Sequence, residues 1–83
     1  MFDTMPDAPL TLEELLALRR DLPSPASRRA IRVAARVSRE VVAKQFDPPL
    51  SRHTIRHYEH GTRNPSGKHL AQYVAILRML KDA

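Results

Sequence analysis

The sequence predicts an all-α fold, a compact bundle of five helices. Three observations lead there. Apolar residues recur at three- and four-residue spacing, start and stop signals punctuate them, and no segment alternates like a strand. With 83 residues, the chain suffices for one compact domain and not for two.

Residues 1–10 contain Pro6 and Pro9 without periodicity and read as a flexible tail, leaving 11–83 as the domain. Thr11 and Glu14 have the spacing of a capping box, in which each side chain satisfies an orphan N–H of the other's segment. Leu12, Leu15, Leu16 and Leu18 follow, so a first helix is expected over 12–21, with its leucine stripe in the core; Pro23 ends it. Ser24-Pro25 starts a second helix over 25–36, because proline lacks the N–H that a first helical position leaves unpaired anyway. Ile31, Ala34 and Ala35 mark its inner face, and Arg28, Arg29 and Arg36 are expected in solvent.

Ser38 caps a third helix over 39–46 that turns Val42, Ala43 and Phe46 inward. Asp47-Pro48-Pro49 breaks it. Ser51 caps a fourth helix over 52–59, anchored by Ile55 and Tyr58. Gly61 stops it by accepting the left-handed conformation. After the loop Thr62-Arg63-Asn64-Pro65, Ser66 is expected to cap a fifth helix over 67–81. Leu70, Val74, Leu77 and Leu80 form its inner stripe, with Tyr73 and Ile76 flanking and His69 on the surface.

The net charge of +5 is unevenly spread. Asp3, Asp7, Glu13, Glu14 and Asp21 outnumber Arg19 and Arg20 in residues 1–23. The remainder carries twelve Lys/Arg against Glu40, Asp47, Glu59 and Asp82. A basic body of this kind favours a polyanion. The chain has no cysteine, which excludes disulfides and cysteine-ligated zinc. No apolar run approaches the roughly 18 residues of a membrane span and no signal peptide is visible, so a cytoplasmic protein without membrane contact is expected.

The fourth helix has an unusual polar side. Arg52, His53, Arg56 and His57 share one face across little more than a turn, while Ile55 and Tyr58 hold the other. Long or planar hydrogen-bonding groups so placed can lie along the floor of a major groove. His53, His57 and His60 fall at helical spacing, but without an acidic or cysteine partner nearby no metal is expected. Ser51, His53 and Glu59 are close in sequence, yet there is no strand-turn-helix nucleophile elbow, and an enzyme is not expected.

Arg32, Ser38-Arg39-Glu40 through Ala43, Ser51-Arg52-His53-Thr54-Ile55, Glu59-His60-Gly61, Arg63, Asn64-Pro65-Ser66 and the Leu70 to Leu77 helix together resemble the helix-turn-helix family of phage repressors and Cro proteins. The resemblance runs from Arg32 to about Leu80, and Ser51 to Ser66 is its most specific part. It implies a lambda-repressor-like bundle with an extra N-terminal helix and a helix-turn-helix unit over 38–60. It also implies a small transcriptional regulator, a repressor or Cro-like switch protein of the bacterial cytoplasm or nucleoid, or phage-encoded.

By the resemblance, Ser51, Arg52, His53, Arg56 and His57 read bases. Ser38, Arg39, His60, Arg63, Asn64 and Lys68 hold phosphates. Ala43 allows a close helix crossing, Ile55 and Tyr58 anchor the reading helix, Gly61 ends it, and Arg32 and Glu59 form a partly buried ion pair. The implied partner is a double-stranded DNA operator with inverted-repeat symmetry, bound by a homodimer that meets through the first or last helix. No cofactor or small-molecule ligand is expected.

Two features depart from the family. Asp47-Pro48-Pro49-Leu50 is longer than its usual glycine-containing turn, and Arg36-Val37 replaces the glycine after the second helix. Thr54 through Glu59 also resembles winged-helix regulators and phage excisionases, which need a β-wing after the reading helix. A third alternative is an antitoxin-like protein-interaction module.

Overall fold

Helix starts are where local chemistry dictates this structure most directly. In a computed structural model of the protein, residues 10–83 are described, and they form α1 (Leu12–Asp21), α2 (Pro25–Ala34), α3 (Arg39–Lys44), α4 (Arg52–His60) and α5 (Lys68–Lys81). No strand occurs among these residues, and no helix is long and apolar enough to cross a membrane. The tail expected over 1–10 lies, except for Leu10, outside the described residues.

The Thr11–Glu14 capping box forms in both directions, at 3.1 and 2.9 Å. Ser24, Ser38 and Ser51 each accept from the backbone N–H three residues on. Ser66 does not cap α5. The N-cap is Gly67, at φ +56°, with no side-chain bond, and the first turn is closed by backbone carbonyls of Ser66 and Gly67.

Two helices end earlier than their periodicity implies. Helix α3 stops at Lys44, although Phe46 beyond it is still buried. Helix α2 stops at Ala34 because Arg36 turns left-handed at φ +60°. The Arg36 N–H then reaches Val33 O and the Val37 N–H reaches Arg32 O, the paired bonds of a Schellman ending normally built on glycine. The left-handed conformation costs a side-chain-bearing residue about 1–2 kcal/mol. Glycine would remove that cost but loosen the unfolded chain by about 0.4–1 kcal/mol. Arg36→Gly should therefore raise stability by about 0.5–1 kcal/mol, read as a higher urea midpoint.

The core cluster gathers Val42, Ala43 and Phe46 from α3 and its end, Ile55 and Tyr58 from α4, and Tyr73, Ile76 and Leu77 from α5. Leu22, Ile31, Val37, Leu50 and Leu80 close its rim. Tyr73 and Ile76 are buried, not flanking, because α5 lies along the bundle with neighbours on more than one side. Tyr73 stacks obliquely on Tyr58 and Phe46 at 5.2 and 5.9 Å between ring centres. His69, expected on the surface, is half-buried with its ring set edge-on against Phe46. Ala34 faces solvent, because α2 ends there and turns Ile31 toward the core instead.

Two further expectations fail. Helix α1 buries no residue, for it packs chiefly along α5 at the edge of the bundle; Leu12 and Leu16 remain exposed. Arg28 is not in solvent but only 5 % exposed. Its Nε donates to Pro23 O and its Nη1 to Tyr58 O, which draws the guanidinium inward between α2 and the last turn of α4.

Candidate nucleic-acid interface

Helix α4 is fastened at both ends and along one side. At its start, Ser51 Oγ accepts from the Thr54 N–H at 3.3 Å. At its end, Gly61 takes φ +74°, which strains any side-chain-bearing residue, and a β-carbon there would stand a tight 3.1 Å from the Pro25 ring of α2. Along its inner side, Ile55, Tyr58 and Glu59 are buried.

Glu59 is the electrostatic centre of this fastening. Its carboxylate receives Arg32 Nε at 2.6 Å and Arg32 Nη2 at 3.1 Å. Arg39 Nε donates to the same group at 3.0 Å. Arg32 also donates to Val37 O at the ending of α2. Burial alone would push the Glu59 carboxyl up. The hydrogen bonds and charges of the two arginines outweigh it and hold the group below its ordinary value of 4.5. The Arg32–Glu59 pair is thus present, and Arg39 makes it a triad that spans α2, α3 and α4.

This triad changes the position of Arg39. Expected as a phosphate clamp, it is tied to Glu59 through Nε, with its side chain still 31 % exposed. It lines an open concavity between α3 and α4 together with Arg32, Ser38, Glu40, Arg52, His53 and Arg56. The fold therefore brings together Ser38 and Arg39 with three of the expected base readers. Glu40, which the motif reading did not single out as a site residue, also reaches this concavity, and its carboxylate lies 3.7 Å from Lys44 Nζ. Ser51 is exposed, but its hydroxyl is engaged as the α4 cap and does not line this concavity.

His57 lies farther along α4, with Nδ1 at 2.7 Å from Thr62 Oγ1, which restrains the ring from the helix end. His60, the last residue of α4, Arg63 and Asn64 in the following loop, and Lys68 at the start of α5 are exposed and do not join the concavity. Burial raises the Tyr58 phenol above its ordinary value, and the Arg63 charge opposes that rise. Among the described residues no group of three or more His, Asp or Glu is placed to hold a metal ion.

The break between α3 and α4 is held in place. Gln72 of α5 donates to Asp47 O at 3.2 Å and accepts from Asp47 N at 3.5 Å, and the Leu50 N–H reaches back to Ala43 O at 3.0 Å. Ala43 is buried in the core cluster with Ile55, and α3 packs against α4. Comparison of the chain with protein-family models, with curated proteins and with solved structures returned no match.

Proposed function

We propose that this protein is a small sequence-specific DNA-binding regulator of the lambda-repressor-like helix-turn-helix type, with α3 and α4 as the helix-turn-helix unit and α4 as the reading helix. The observation that carries this reading is the shared surface. Arg52, His53 and Arg56 project from a helix locked on its other face by Ile55, Tyr58 and Glu59, and they converge with the N-terminus of α3 on one basic concavity. Rigid presentation matters because a long arginine held on a fixed helix loses less freedom on meeting a base edge.

In this reading Arg52 and Arg56 pair with guanine O6 and N7, while His53 and His57 contact bases or phosphate. Ser38 and Arg39 lie at phosphates on one side, and His60, Arg63, Asn64 and Lys68 on the other. The operator is an inverted repeat bound by two copies, as befits a repressor or Cro-like switch protein of the bacterial cytoplasm. The winged-helix alternative loses support, since residues 61–67 lead directly into α5 and no strand occurs among the described residues.

Selection of bound duplexes from a random pool should return an enriched, symmetric motif. Arg52→Ala and Arg56→Ala should each relax preference at their own base positions by about 1–3 kcal/mol. Arg63→Ala should weaken all sequences alike and flatten the salt dependence. Recovery of no motif, or equal loss from all three variants, overturns the assignment. Arg39→Ala is a poor clamp test, because it also removes a partner of Glu59.

A further inference from the structure

We infer that α1 is a self-association surface that pairs antiparallel with α1 of a second copy of this chain. This deepens the DNA reading, in which two copies act together, by naming the surface and direction of their contact; it is tested without DNA, so either can fail alone. The first observation is the unburied leucine face. Leu12 and Leu16 lie one turn apart on α1, 71 % and 47 % exposed.

The second observation is charge order, and it selects both the occupant and the direction. Helix α1 carries Glu13 and Glu14 in its first turn and Arg19 and Arg20 in its last. Glu14 is engaged in the capping box and Asp21 is paired with Arg78 at 2.7 Å. Glu13, Arg19 and Arg20 have no ion-pair partner among the described residues. A parallel pair of α1 helices would set Glu13 beside the partner's Glu13 and Arg19 beside the partner's Arg19, both repulsive. An antiparallel pair centred on Leu16 sets Glu13 against the partner's Arg19, twice by symmetry. Leu16 then meets its own copy, and Leu12 lies on the aliphatic stem of the partner's Arg20. The helix is its own complement only in this orientation.

A pair of ten-residue helices covers less than the ~1,200 Å² of a standard interface, so association should be weak. Sedimentation of the full chain from about 5 to 500 μM should show a monomer–dimer equilibrium in that range. Leu16→Lys, which sets like charges at the two-fold axis, should abolish it while leaving the helical circular dichroism spectrum unchanged. Glu13→Lys and Arg19→Glu should each weaken it about tenfold, and the double swap should restore it.

Three outcomes overturn the inference. They are a wild-type monomer throughout, whether the face is bare or covered by residues 1–9; a dimer indifferent to Leu16→Lys; and single swaps that weaken a dimer the double swap fails to restore.

Discussion

Glu59→Ala should lower stability by about 3–5 kcal/mol, because it leaves two guanidinium groups facing a partly buried void. A chain of this size has a total stability of roughly 5 kcal/mol, so the variant should be largely unfolded or melt roughly 15–30 °C lower. The partners should rank by burial. Arg32, with its side chain 12 % exposed and bidentate to Glu59, should matter more than Arg39 at 31 %, whose removal should cost about 1 kcal/mol because water screens it. Equal melting of Glu59→Ala and wild type would remove the triad from the account of how α4 is held.

The same triad sets an acid limit. Glu59 is held below its ordinary value, so its contribution is complete above pH 4.5 and is lost as the pH falls through the lower, folded value. Glu59→Gln resembles the protonated side chain. The stability gap between wild type and Glu59→Gln should thus be constant above about pH 5.5 and close progressively below 4.5. Urea titrations of both proteins across pH 3–7 read this directly. A gap that widens on acidification would mean that the carboxylate is not stabilised by its arginines.

What the sequence made legible follows the range of the interaction concerned. Ser24, Ser38, Ser51 and the Thr11–Glu14 box act within three residues, and all formed as expected. Ser66 has the same local chemistry, but the positive φ of Gly67 places the start of α5 after it. The exposed polar face of α4 was legible because helical spacing separates Arg52, His53, Arg56 and His57 from Ile55 and Tyr58. That Arg39 joins Glu59 depends on how α3 crosses α4, which no local pattern encodes. The Arg32–Glu59 pair, 27 residues apart, was reachable only through resemblance to a family. The leucine stripe of α1 misled because amphipathic pattern predicts burial without saying against what, and α1 has only the edge of the bundle to cover it.

Arg28 is the residue least legible in sequence, and the second large effect belongs to it. Its partners are backbone carbonyls, one of them 30 residues away, which leave no side-chain signature to read. Burial lowers its pKa, but an arginine so shifted is still charged at any physiological pH. The charge is tolerated because Tyr58 O belongs to the last turn of α4, where carbonyls lack helical partners and the helix dipole is negative. Each charged hydrogen bond contributes about 1.5–3 kcal/mol, and the dipole adds up to ~2 kcal/mol in a partly buried site. Against them stands a desolvation cost of several kcal/mol. Arg28→Ala removes both bonds and the packing of the stem, leaving two carbonyls unsatisfied, and should cost about 2–4 kcal/mol. Arg28→Lys should recover little, since one ammonium cannot reproduce a planar fork that reaches two carbonyls from Nε and Nη1.

The consequence should extend to DNA, because Arg28 holds the C-terminal end of α4 while Glu59 and Ser51 hold its side and start. In Arg28→Lys, examined at a temperature where it is still folded, sequence preference at the Arg56 position should weaken more than at the Arg52 position, which lies a turn farther from the loosened end. Equal retention at both would mean that α4 takes its angle from α3 and the triad alone.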